Sequence, residues 1–275
     1  MILFVFNILR NNFMSHPLYN LETVRKIEDQ IKRLDDLKKE QKNTFTGEDV
    51  RFTFYGQLQT AIIHAYLAYL CLEISDYFES TGSSLVNIFY HEQNIFQSIK
   101  RLSDHTLSNN FKNLIYLNWL NNIWIVFESK IRVIFNHCIF QDDLNFVKDK
   151  KKEELLLFFR DSFKNKGHVN LPIIWNFFMM YKDYDEKFID EDKEILEFIS
   201  FCRNSMHNNG VVFKDKIHKS RLGNYNCVKD KHISCINAEE IIKFSNELIA
   251  IFVRVSNTTN KKEVIKDPFQ VSIKT

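Results

Sequence analysis

Glycine and proline are scarce in this chain, at six and three of 275 residues. Few glycines leave few places for left-handed turns and bulges, and few prolines leave few helix breaks, so the composition points to long helices and an all-α fold. Gly47, Gly56, Gly82, Gly167, Gly210 and Gly223 also stand too far apart to build a phosphate-cradling loop. That spacing excludes a Walker A loop, a dinucleotide fingerprint and a nucleophile elbow. Charge of one sign is missing too: the formal net charge is +2, so any surface for nucleic acid must be local. The longest apolar run, AIIHAYLAYLCLEI, is too short to span a bilayer and contains His64, so it reads as a core helix and no membrane segment is expected. Of the five cysteines, Cys71, Cys138 and Cys202 sit inside apolar helical patterns, which favours a reducing, cytoplasmic setting over a disulfide framework.

What is present is a hydrophobic content of 45%, enough for a substantial core. Val24, Ile27, Ile31, Leu34 and Leu37 recur at three- and four-residue steps, the mark of a surface helix running from Leu21 to about Asn43. Further helices are expected over 51–79, 85–101, 107–138, 151–164, 171–188, 190–208 and 238–256, the last opened by Asn237 with Glu240 in a capping-box arrangement. The sequence VVF after Gly210 suggests a short extended piece, and 214–236 reads as an irregular polar loop. The organisation expected is a peripheral segment at 1–14, an N-terminal helical layer at 15–104, a helical bundle at 105–256 and a loosely held tail at 257–275. The leading MILFVFNIL lacks the basic start and small-residue cleavage site of a signal peptide, and Met14 opens a stretch that looks like a natural beginning.

The most informative stretch is EILEFISFCRNSMHNNGVVF, residues 194–213. On a helix, Arg203 and His207 fall on the same side as Leu196 and Ile199, an apolar side that something should cover. A covered arginine needs an anionic or carbonyl partner, and Glu128, at the margin of the helix over 107–138, is the candidate. In a purely structural reading, Arg203 pairs with Glu128 and His207 satisfies the last carbonyls of its own helix. In a functional reading, the two serve phosphoryl chemistry on RNA. His207 exchanges a proton with a ribose 2′-hydroxyl or the leaving oxygen, and Arg203 stabilises charge on the phosphate. That chemistry needs neither metal nor cofactor, in keeping with the lack of a clustered carboxylate motif.

The segment RNSMHNNG closing a helix, preceded by a long helix carrying FESKIR and followed by one last helix, resembles the HEPN superfamily of small helical domains. Its signature is an arginine, often followed by a polar residue, with a histidine a few residues later. The resemblance covers about residues 105–256 and implies Arg203 as phosphate-binding residue, Asn204 as the polar residue after it, and His207 as acid–base group. It further implies a metal-independent endoribonuclease of a toxin–antitoxin or abortive-infection, phage-defence kind. Such an enzyme acts on RNA as a homodimer that pools two motifs, with an antitoxin or regulatory protein as a further partner. Three residues, Asn204, Ser205 and Met206, separate Arg203 from His207, fewer than is usual in that superfamily. The short spacing favours a second reading, a non-catalytic helical module that dimerises or binds RNA or protein; the side-chain identities favour the enzyme.

Two weaker signals lie beside the motif. Lys214, Lys216, Lys219 and Arg221 are a basic run close enough in sequence to extend an RNA surface. His218, Cys227, His232 and Cys235 are potential zinc ligands, but their spacing matches no familiar knuckle, so a solvated loop without metal is expected.

Overall fold

A computed structural model of the protein describes residues 21–81, 109–139, 154, 157–161, 169–179, 184–208 and 210–268. Helix α1 spans Leu21–Gln41, α2 Val50–Thr81, α3 Asn109–Ile139, α4 Leu171–Met179, α5 Ile189–Met206 and α6 Ala238–Asn257. A turn of 3-10 helix at Glu186–Phe188 precedes α5, and two strands, β1 at Lys216–Ser220 and β2 at Gly223–Cys227, lie between α5 and α6. Among the described residues the fold is thus mainly helical with one small antiparallel sheet. None of the described helices is long and apolar enough to cross a membrane.

The hydrophobic periods place the helices well. Leu120, Trp124, Phe127, Ile131, Ile134 and Phe135 share one side of α3 and are all buried. Val24, Ile27 and Leu34 of α1 are buried, with Ile31 and Leu37 packed at the edge of the core. Asn237 caps α6, its side chain accepting the Glu240 N–H at 3.0 Å. The helix expected over 171–188 is broken: α4 ends at Met179, and Asp185 restarts the chain by accepting the Lys187 N–H. The segments expected at 1–14 and 85–101 lie outside the described residues, as does most of 151–164.

The N-terminal helices pack directly on those that follow. Phe54 of α2 stacks on Phe252 of α6 with ring centroids 3.7 Å apart and meets Phe127 of α3, which in turn stacks on Trp175 of α4. One aromatic core therefore joins four helices from both halves of the sequence. On its outer side, Lys26, Gln30 and Arg33 of α1 bond in order to Glu239, Ser245 and Asn246 of α6, so the two helices run side by side in the same direction.

The tail expected to be loosely held is, over 258–268, a strap pinned to the body by four buried residues, Thr258, Thr259, Ile265 and Asp267, with an exposed loop between them. Ile265 and Asp267 are buried, the Val50 N–H donates to the Ile265 carbonyl at 2.8 Å, and the Asp267 N–H donates to Glu48 at 2.9 Å. Arg51, almost wholly buried, is ringed by the Asp49 carboxylate, the Thr259 hydroxyl and the carbonyls of Asn260 and Glu263. A buried guanidinium is tolerable because its donors are met this fully.

The region 214–236, expected as an irregular loop, contains a β-hairpin. Ser220 pairs with Gly223 across a two-residue turn of Arg221 and Leu222, with Gly223 at a φ of 139°. His218, Tyr225 and Cys227 point inward, and Tyr225 stacks on Phe198 of α5 at 4.5 Å. The hairpin forms because this inward face has a docking surface on α5 and α6, a long-range cause that overrides its many polar residues.

Candidate functional site

The C-terminal end of α5 carries the Arg203 and His207 motif. The core side of α5 runs through Ile195, Phe198, Ile199, Cys202 and Ser205. A four-residue step on a helix turns about 40° beyond a full revolution, so Ile199, Arg203 and His207 drift in sequence from the core into solvent. Ile199 is buried, Arg203 half-buried and His207 exposed. The apolar side of α5 is thus covered by its own chain, and the motif emerges at its margin.

The expected pairing of Arg203 with Glu128 does not form. Glu128 is taken by Arg132 one turn along α3, at 3.1 Å from Nε and 2.7 Å from Nη2, and Arg132 is fixed in turn by the Val169 carbonyl at 2.7 Å. The spacing of four residues on one helix makes this local pair the better competitor for the carboxylate. Arg203 is left with a surface contact of 3.4 Å from Nη1 to the Asn204 side-chain oxygen. The His207 side chain has no hydrogen-bond partner among the described residues; its backbone N–H alone turns back, to Asn204 and Ser205. Neither residue is therefore used up in holding the fold together.

Gly210 fixes where the motif ends. Its N–H closes the helix on the Ser205 carbonyl at 2.9 Å, with φ at 78°. A Cβ there would lie 3.1 Å from Leu117 and 3.2 Å from Leu114 of α3. Both the left-handed backbone and the close approach require glycine. Beyond it the expected extended piece appears: Val211 bridges His232, and Val212 exchanges backbone hydrogen bonds with Asp230 and Lys231.

Beside the motif runs a groove of about 420 Å³ between α4, α5 and the start of the hairpin. Lys193, Glu197, Ser200 and Asn204 line it from α5, Trp175 and Asn176 from α4, and Phe213, Lys214 and Lys216 close its far wall. The α5 residues follow three- and four-residue steps and form one stripe. This stripe ends at Asn204, so the groove opens one residue away from Arg203. Phe213 is half exposed at 50%, with Lys214 Nζ 5.7 Å from its ring centre; Lys216 Nζ is 5.9 Å from that of the buried Phe201.

The basic run divides. Lys214 and Lys216 face the groove and Lys219 is exposed on β1. Arg221 is instead bound by the carboxylates of Glu191, Asp192 and Glu247, and so acts as a tie between the hairpin turn, α5 and α6. The sequence hid the centre of that tie. Asp192 reads as an ordinary acidic residue of a first helical turn, yet it is fully buried and accepts from Arg254 Nε at 2.8 Å and from the Tyr184 hydroxyl at 2.6 Å. Burial, followed by the Asp192 charge, pushes the Tyr184 hydroxyl well above its ordinary value.

Of the four potential zinc ligands, His218 and Cys227 lie on the inward face of the hairpin, and His232 and Cys235 lie in the segment between it and α6. His218 packs between Phe198 and Phe201, with ring centroids 4.8 and 5.2 Å away, and burial pulls its pKa down to about 4. Burial likewise raises the Cys202 thiol well above its usual range. Among the described residues no three His, Cys, Asp or Glu side chains are placed to hold a metal ion.

No family model, no curated protein and no solved structure matches this chain. The chemical content of the site is an arginine with only a weak contact to its neighbouring amide and an exposed histidine at one helix end, beside a lysine-walled groove.

Proposed function

We propose that the chain is a metal-independent endoribonuclease of the HEPN kind, acting in a bacterial defence or toxin–antitoxin-like setting. One observation carries this reading: Arg203 and His207 stand together at the margin of α5 without the structural partners that would explain them, since Glu128 belongs to Arg132. A half-buried arginine and an exposed histidine at one helix end are suited to a phosphodiester. The Arg203 guanidinium holds two phosphate oxygens, and the Asn204 amide supplies a further donor. His207 takes the proton from the ribose 2′-hydroxyl, whose oxygen attacks the phosphorus. The bond to the 5′-oxygen breaks, and that oxygen receives a proton as it leaves, giving a 2′,3′-cyclic phosphate and a 5′-hydroxyl. A symmetric homodimer pooling two motifs supplies one histidine for each proton transfer. An antitoxin or regulatory protein would act by covering this exposed helix end.

A second reading keeps the same bundle as a non-catalytic module that binds RNA or protein. The three-residue interval between Arg203 and His207 favours it, because it sets the two groups one helical turn apart with little freedom to adjust. Cleavage assays on single-stranded RNA separate the two. The enzyme reading expects His207→Ala and Arg203→Ala to abolish cutting while circular dichroism and the unfolding midpoint stay unchanged. Wild-type protein that binds RNA and leaves it intact would establish the module instead.

A further inference from the structure

We propose that the groove between α4 and α5 is a subsite for an unpaired nucleotide of single-stranded RNA, its base against Phe213 and its phosphates on Lys214 and Lys216. The inference rests on the ribonuclease reading only for the identity of the polymer. A volume of about 420 Å³ lies within the range of sites for small organic groups, about 300–1,000 Å³. Three lysines, Lys193, Lys214 and Lys216, line the groove against one carboxylate, Glu197. None of the three lysines has an ion-pair partner among the described residues, so their charge is available to an anion. A half-exposed phenylalanine with an ammonium 5.7 Å from its ring centre is otherwise a poor use of surface. It is the pairing that base stacking beside a phosphate requires, because every base has a face to stack while its phosphates need cations. The occupant must be unpaired, since a base held in a duplex offers no face to a side chain. Asn204 joins the two sites: it lines the groove and directly follows Arg203, so a nucleotide in the groove places a neighbouring phosphate at the motif.

The test uses full-length His207→Ala protein, to keep RNA uncut, and a fluorescent single-stranded RNA of about 12 nucleotides read by anisotropy across a salt titration. Phe213→Ala in that background is expected to weaken binding about tenfold or more. Lys214→Ala with Lys216→Ala is expected to flatten the log–log salt dependence by about 1.4, at about 0.7 for each phosphate deprived of its lysine. Lys261→Ala with Lys262→Ala, in the exposed loop after α6, is expected to change neither. Duplex RNA of the same sequence is expected to bind far more weakly. Unaltered binding by the groove variants, equal binding of duplex, no binding of single strands, or displacement of RNA by polyglutamate at equal charge would overturn the subsite. Groove-dependent binding by a wild-type protein that never cuts would keep the subsite and remove the ribonuclease. Cutting that ignores the groove substitutions would do the reverse.

Discussion

Lys130 Nζ lies 2.6 Å from Asp267 Oδ2, with both side chains wholly buried, so the middle of α3 grips the segment that follows α6. Thr53 of α2 donates to the same carboxylate oxygen at 2.6 Å. Burial pulls the Lys130 pKa below its ordinary value and the Asp267 carboxylate opposes that pull. Removing one partner of such a pair leaves a charge stranded in the core. Asp267→Ala is therefore expected to cost about 3–5 kcal/mol in chemical denaturation, although it lies near the chain end. Lys130→Met combined with Asp267→Leu is expected to recover most of that loss, because the two apolar groups need no partner. A single substitution costing less than about 0.5 kcal/mol, the level of an ordinary surface change, would show the strap to be dispensable.

Gly210→Ala is expected to destabilise the protein by roughly 1–2 kcal/mol or more, from the left-handed backbone alone. The added methyl group would also press on Leu114 and Leu117. Thermal unfolding checks the stability, and an unchanged midpoint would contradict the assigned backbone.

His218 gives the fold a pH dependence. Its pKa is down at about 4 in the folded protein, through burial first and the Lys216 charge second, against about 6.5 in an unfolded chain. Between these values the unfolded chain binds a proton that the folded protein excludes. The contribution is complete above about pH 6.5 and is lost as the pH falls toward 4, by no more than about 3 kcal/mol. His218→Phe keeps a ring between Phe198 and Phe201 and is expected to flatten the stability profile in that window. A profile equally steep in the variant would assign the dependence to other groups.

Much of this was legible in the sequence, and the failures share a cause. The apolar rows of α1, α3 and α6 and the Asn237 cap are local patterns, and they form where the residue spacing puts them. The hairpin was not legible: its turn is Arg221–Leu222 rather than an Asn-Gly pair, and its inward residues include a histidine that is tolerated only because two phenylalanines of α5 receive it. The strap at 258–268 looks polar and loose until Arg51 and Lys130, far away in sequence, supply its partners. For the candidate site, the helix and its glycine stop were readable. The drift of the motif into solvent and the capture of Glu128 by Arg132 depend on how α3 and α5 pack.

Because Arg203 does not serve Glu128, Arg203→Ala is expected to leave stability within about 0.5 kcal/mol of wild type. RNA affinity and any cleavage are expected to fall sharply. Equilibrium unfolding and RNA binding on the same preparations check both halves. A large stability loss would return Arg203 to a structural role.

The most direct measurement is the mass of the RNA ends produced when purified protein meets single-stranded RNA in excess EDTA. Attack by the neighbouring hydroxyl predicts fragments ending in 2′,3′-cyclic phosphate and beginning in 5′-hydroxyl, with none formed by His207→Ala protein. Fragments carrying 5′-phosphate, cleavage that EDTA abolishes, cleavage that persists without His207, or intact RNA throughout would contradict it.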